Sequence, residues 1–165
     1  MTSIYTRTSI RKYQKKAVED EKIIEILRAA MQAPSAGNQQ PWEFYVIKDP
    51  KKLELLSECS PYAKMTKDAP CAIVSAYRKE GLRHPAYAEI DMSIAMENMW
   101  LRTDEIGLGG VWLGIAPLEE RMKKVEEIAG IPAHLRAFAI FPFGYPAEEK
   151  KQADRFDESR IHFEE

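Results

Sequence analysis

The segment from Pro85 to Ile106 constrains the fold of this chain more than any other. Its apolar residues, Ile90, Met92, Ile94, Ala95, Met96, Met99, Trp100 and Leu101, fall around most of the circumference of an α-helix. About 20 residues at ~1.5 Å per residue make a rod of roughly 30 Å. A helix that is apolar on nearly all sides has to be covered on most of them. The chain has only 165 residues, near the size of one domain, so it has little material to surround such a rod. A second subunit is therefore expected to cover part of it, making the protein a homodimer.

Composition narrows the class. Apolar residues make up 45% and charged residues 30% of the sequence, the balance of a folded globular protein. A net charge of −2 argues against a nucleic-acid partner, because binding a polyanion needs many clustered cations. Cys59 and Cys71 form no CxxC pair and no zinc spacing with His84, His134 and His162, so they are expected to be free thiols of a reducing compartment. Met1 to Tyr13 lacks the apolar core of a signal peptide, and no apolar run is long enough to span a bilayer. A cytoplasmic location without membrane contact is expected.

Periodicity lays out the other elements. Ile23, Ile24, Leu27, Ala30 and Met31 predict a helix over 20–33, with Asp20 as its cap. Pro34 ends it and a loop of turn formers follows to Pro41. Trp42 to Ile47 reads as a strand. Asp49-Pro50 opens a short helix, and Ser60-Pro61 gives the same start signal for a second. Cys71 to Tyr77 reads as a buried strand. After Gly107, Gly109 and Gly110, a strand is predicted from Val111 to Ile115. A helix follows Pro117 and ends near Gly130, with Glu119 and Glu120 suited to its positive end. Leu135 to Phe143 is the last strand. The tail, 148–165, is charged, with Phe156, Ile161 and Phe163 as apolar anchors. Irregular alternation of helices and strands predicts an α+β or mixed arrangement of layers.

Four segments have chemical potential. Arg7-Thr8-Ser9-Ile10-Arg11-Lys12-Tyr13 places two guanidinium groups four residues apart, with two hydroxyls between them. That is the donor set a phosphate monoester needs; a solvated basic surface is the competing reading. Pro34-Ser35-Ala36-Gly37-Asn38-Gln39-Gln40-Pro41-Trp42 is dense in amides, which can read the edge of a heterocycle, or it is an ordinary helix-ending loop. Gly107-Leu108-Gly109-Gly110-Val111-Trp112-Leu113-Gly114 is not a dinucleotide fingerprint. Its glycines permit close approach of a ring, or simply end a helix. Arg155 stands alone in the tail. No Gly-x-Ser-x-Gly and no Walker loop occurs.

Taken together and in order, these segments resemble the nitroreductase family of FMN enzymes, in its short-chain branch. The match consists of Arg7 to Tyr13, Ala33 to Trp42, the long helix, Gly107 to Gly114, Phe143-Gly144-Tyr145-Pro146 and Arg155. The resemblance implies a mostly antiparallel central sheet flanked by helices in a single domain. It also implies an intertwined homodimer whose C-terminal arm, 148–165, reaches the partner. Two FMN molecules are implied, each touching both chains. Arg7, Thr8, Ser9 and Arg11 would hold phosphate, ribityl and one ring edge. Pro34, Ser35, Ala36 and Asn38 would come from the partner chain. Gly110, Val111, Trp112 and Leu113 would line the ring, and Arg155 would close on the phosphate. Many relatives have a Lys two residues before that Arg, where this chain has Ala153. Only 59–68 is available as a lid.

The implied activity is hydride transfer from NADH or NADPH through the flavin to a small oxidised acceptor. A nitroaromatic, a quinone, an enone and free flavin are the candidate acceptors. The cofactor does the hard chemistry, so no protein nucleophile or general base is required. A non-catalytic flavin-handling protein on the same fold is the alternative, and an interaction module without cofactor is a third reading.

Overall fold

Five strands form one antiparallel sheet in the computed structural model, which describes residues 2–164. In chain order the elements are α1 (Ser3–Thr6), α2 (Asp20–Met31), β1 (Trp42–Ile47), α3 (Pro50–Ser57), β2 (Cys71–Arg78), α4 (Ala88–Glu105), β3 (Gly109–Gly110), β4 (Leu113–Gly114), α5 (Glu119–Ala129) and β5 (Leu135–Gly144). The sheet order is β1-β2-β5-β3, with β4 also paired to β5.

The period of two decides which helices cover which face. On β2, Cys71 and Ile73 join Phe141 and Phe143 of β5 under α2 and α4, where Ile23, Ile26, Met92, Met96 and Met99 complete one core. Ala72 and Val74 point the other way with Ala137 and Ile140, against Leu53, Leu56, Met122 and Val125 of α3 and α5. A helix pair on each face makes three layers around a doubly buried sheet. In β5, Ala139 faces Ser75 while Ala137 faces Ala76, so Phe138 is the extra residue of a bulge.

Local signals explain most element ends. The Asp49 carboxylate accepts the Lys51 N–H at 2.9 Å and Pro50 occupies the first turn of α3. Gly130, at φ 72°, stops α5 in the left-handed conformation. Three expectations are corrected. Asp20 is the first helical residue rather than the cap, and its carboxylate pairs with Lys48. After Ser60-Pro61 there is a turn, with Ser60 Oγ accepting the Tyr62 N–H, and then a 3₁₀ helix at Lys64–Asp68. Ala69, extended before Pro70, ends that segment.

The third correction concerns the strand expected at Val111 to Ile115. It begins earlier, at Gly109, and its ladder is interrupted at Val111 and Trp112. Gly110 faces Phe143 and Leu113 faces Ile140, three steps on each side, so the register is continuous across the gap. Pro142 lies opposite the gap and has no N–H to donate. Its carbonyl still accepts the Val111 N–H at 3.3 Å.

The long helix begins with a 3₁₀ turn at Pro85–Tyr87. Ala88, Met92, Ala95, Met96, Met99 and Thr103 form its buried face. Ile90 remains 55% exposed, and Ile94, Trp100 and Leu101 are only partly covered.

Gly110 is tightly enclosed. A Cβ there would lie 2.6 Å from the Phe141 ring, whereas one at Gly114 would meet nothing within 4 Å. Gly110→Ala should therefore cost about 1–3 kcal/mol as overpacking, and Gly114→Ala should stay within about 0.5 kcal/mol of the parent. Thermal denaturation of both variants checks the contrast.

Candidate functional site

Beyond β5 the chain turns back along its own beginning. Tyr13 and Pro146 bridge, Gln14 N–H donates to the Tyr145 carbonyl at 2.8 Å, and Ala147 N–H donates to Lys12 at 2.9 Å. Glu148 Oε1 accepts the N–H groups of Arg11 (2.6 Å) and Lys12 (3.2 Å). Lys150 Nζ donates to the Ser9 carbonyl at 2.9 Å and lies 3.1 Å from Glu148. The Tyr13 hydroxyl shares its hydrogen between the carbonyls of Ile10 and Pro142, at 2.9 and 3.0 Å. Burial pushes this phenol well above its ordinary range. Residues 7–14 and 145–155 are thereby fixed side by side.

This pairing gathers cations. Arg7, Thr8, Ser9, Arg11, Lys150, Lys151 and Arg155 line a cleft of about 200 Å³, together with Gln152 and Ala153. Among the described residues no carboxylate lines it. The Arg7 guanidinium lies 3.9 Å from the centre of the Trp100 ring, and its Nε is 3.7 Å from Glu97. Its Nη1 is buried without a hydrogen-bond partner, a costly state for a charged donor unless a ligand completes it. Arg155 is exposed and donates to Gln152 Oε1 at 3.1 Å.

Arg11 also lines a second cleft of about 400 Å³, so the two flank the same side chain. One wall of the second is Trp112, Leu113 and Gly114, and the other is Ser60, Pro61, Tyr62, Lys64 and Met65. Trp112 leans on Phe138, with ring centres 5.8 Å apart, which fixes the inner wall. Tyr62 is 73% exposed at the mouth. Gly110 and Val111 stand behind this wall. The Gly110 carbonyl accepts the Ile10 N–H at 3.0 Å, and Val111 is a core residue. The space that Gly109 and Gly110 leave is taken by Ile10 and Phe141 rather than by the cleft.

Pro34, Ser35, Ala36 and Asn38 line neither cleft. Their loop is tied to the start of α4. Asp91, 2% exposed, accepts the Ala36 N–H at 2.9 Å and Gln39 Nε2 at 2.6 Å. The Gln39 amide also brackets His84, accepting its N–H at 2.9 Å and donating to its carbonyl at 3.0 Å. Ser35 Oγ accepts the Gln40 N–H, and Arg78 Nη2 donates to the carbonyls of Gln39 and Gln40. These ties hold Asn38 and Gln40 at φ 54° and 46°. Each such non-glycine position costs about 1–3 kcal/mol and persists only where its surroundings impose it.

Sequence reasoning missed Lys150 and Lys151, Asp91 and Glu148, whereas the outer wall at Tyr62 to Met65 lies within the 59–68 stretch expected as a lid. The Glu148-Glu149-Lys150-Lys151 run was the available signal for the tail contacts. Cys59 and Cys71 are free and buried, with the Cys71 thiol pushed up to about 12 by burial. Among the described residues no group of three or more His, Cys, Asp or Glu is arranged to hold a metal, and no helix is long and apolar enough to cross a membrane.

The nitroreductase family profile matches residues 4–63 and 57–145. A protein of Methanothermobacter thermautotrophicus, named as a proposed NADH dehydrogenase/NAD(P)H nitroreductase, is 43% identical over 99% of this chain and 86% of its own length. The crystal structure of a proposed NADH oxidase from Clostridium acetobutylicum superposes with a TM-score of 0.94 at 47% identity, covering 99% of both chains. An FMN-dependent nitroreductase from Clostridium difficile gives 0.90 at 34% identity, over 99% of this chain and 98% of the other. The chain belongs to the nitroreductase family. It is accordingly an oxidoreductase of that family with the α+β fold described above.

Glu148 makes the pairing of the chain ends sensitive to acid. Burial works to raise its carboxyl, but the Arg11 N–H, the Lys150 ammonium and the Lys12 N–H outweigh it and hold the group below the ordinary carboxylate range. Its contribution is complete above the unfolded value of about 4.3 and is lost as pH falls through the lower folded value. Hydrogen exchange at the Arg11 and Lys12 amides, corrected for intrinsic rate, should accelerate below about pH 4. In Glu148→Ala it should already be fast at pH 7 and should not respond to acid.

Proposed function

We propose that the chain is an FMN-dependent enzyme that takes hydride from NADH or NADPH and passes it to a small oxidised acceptor. A nitroaromatic, a quinone, an enone or free flavin would serve as acceptor. The observation that carries the proposal is the cleft at the joined chain ends. It offers five cationic side chains and two hydroxyl residues, and one of the lining residues, Arg7, carries a buried, unpartnered Nη1 donor. A phosphate monoester brings about two negative charges and three acceptor oxygens, which fit that donor set. The names of relatives, one of them FMN-dependent, point to the same group.

Arg7, Thr8, Ser9, Arg11 and Arg155 would hold the phosphate, with Lys150 and Lys151 adding charge where Ala153 has none. The adjoining cleft would take the ring against Trp112 and Leu113. When bound, FMN supplies the ability to accept a hydride from one substrate and release it to another. The protein's part is to orient, to exclude water and to supply fixed charge. Its buried cysteines and its exposed His84 and His162 are not asked to do chemistry.

We further propose a homodimer, in which Pro34, Ser35, Ala36 and Asn38 complete the partner's site and the arm 148–165 lies against the other subunit. Support comes from the loop's position away from its own clefts and from the apolar side chains left open at Ile90, Phe156 and Phe163.

Purified protein should be yellow, or become so with added FMN, and should bleach anaerobically on addition of NADH or NADPH. Protein that takes up no FMN would sink the proposal, and bound FMN that neither donor reduces would favour a flavin-handling role. Each charge-assisted contact to phosphate contributes about 1.5–3 kcal/mol, so Arg11→Ala should weaken FMN binding at least about tenfold. Fluorescence titration measures this, and an unchanged affinity would place the phosphate elsewhere.

A further inference from the structure

We infer that Asp91 is a positioning residue for the flavin: its buried carboxylate holds the strained loop at 35–40 in the shape that meets FMN across the subunit boundary. The inference rests on the proposed function, in which that loop completes the partner's site.

Asp91 is one of few buried polar side chains in the described chain and is 2% exposed. No Lys, Arg or His forms an ion pair with it among the described residues. Its two side-chain hydrogen bonds come from the loop, one from the Ala36 N–H and one from Gln39 Nε2. A buried carboxylate must be compensated nearby, and here the loop supplies the donors. The first turn of α4, where helix N–H dipoles favour a negative charge, adds to this. The dependence is mutual: Asp91 needs the loop's donors, and the loop needs Asp91 to keep Gly37, Asn38 and Gln40 at positive φ.

The geometry also gives the loop a rigid reference. Met92, Ala95 and Met96, next along α4, are fully buried against the sheet. Asp91 therefore transfers the position of the core to a surface loop. Gln39 passes the constraint on to His84, whose ring would lie 3.0 Å from a Cβ at Gly37. Ser35 and Ala36 are half-buried and Asn38 is exposed, with the Ser35 hydroxyl accepting the Gln40 N–H, while Asp91 fixes the backbone through the Ala36 N–H.

Side-chain polarity allows a test that separates positioning from general stability. In Asp91→Asn, either the new amide donor faces the Gln39 donor, or Gln39 turns over and mismatches both of its contacts to His84. Adding Gln39→Glu restores donor against acceptor at position 91 and keeps one negative charge in the pair, but sets a carboxylate oxygen against the His84 carbonyl to which Gln39 Nε2 donates. FMN titration of the full chain, read by quenching of flavin fluorescence, is done alongside melting of the apoprotein. Asp91→Asn should bind FMN at least about tenfold more weakly. The double variant should recover part of that loss, the remainder reflecting the broken contact to the His84 carbonyl. Should Asp91→Asn not fold, Gln39→Met cuts the same tie from its more exposed end, with the same expected loss. Unchanged affinity in folded Asp91→Asn or Gln39→Met overturns the inference. A parent chain that takes up no FMN overturns the flavin proposal instead, a result distinct from either.

Discussion

The structure depends on an arrangement that electrostatics alone would resist. Arg7, Arg11, Lys150, Lys151 and Arg155 are brought around one small cleft, and like charges this close repel. What holds them is mostly neutral chemistry. Main-chain hydrogen bonds between 12–14 and 145–147, the shared Tyr13 hydroxyl and the Glu148 carboxylate fasten one chain end to the other. Among the described residues, only Glu97 beside Arg7 and Glu148 beside Lys150 offset the charge directly. A site of this kind is assembled by folding and stays electrostatically incomplete until an anion arrives. The fold thus stores an affinity for negative charge that the chain's overall balance, −2, conceals.

Two kinds of support act on the proposed cofactor site. The chain ends form one wall within a single subunit. The loop at 35–40 is held separately, some way along the chain, by a carboxylate on the long helix. The first, though mostly neutral, includes the Glu148 carboxylate and is to that extent open to acid. The second is a buried hydrogen-bonded unit that salt screening reaches poorly. A ligand bridging the two would join elements that respond to different conditions.

Much of the architecture was legible because it is local. Asp49-Pro50 predicts a helix start from chemistry within three residues, and Gly130 predicts an end from its own freedom at positive φ. Trp42 to Ile47 is rich in aromatic and β-branched residues and Leu135 to Phe143 is almost wholly apolar, so both strands are marked by their own composition. Arg7 to Arg11 and the amide loop were recognisable as motifs. What was not legible is long-range. The ladder gap at Val111 and Trp112 arises from Pro142, some thirty residues on in sequence. Ser60-Pro61 carries a helix-start signal, yet a turn and a 3₁₀ helix follow it. Asp91 has nothing in its own neighbourhood to mark it as buried, since its partners are Ala36 and Gln39. Lys150 and Lys151 looked like solvated tail until the chain ends met.

One contact has a meaning beyond the site. Ser9 runs parallel to Gly110, and Ile10 N–H closes on the Gly110 carbonyl at 3.0 Å, so the start of the chain lies along the outer border of β3. An uncovered border of that kind is a template on which foreign strands can assemble. The same few residues that present Arg7 and Arg11 to a ligand therefore also shield the sheet from self-association. Trimming the N-terminus would remove both at once, and precipitation would accompany the loss of binding.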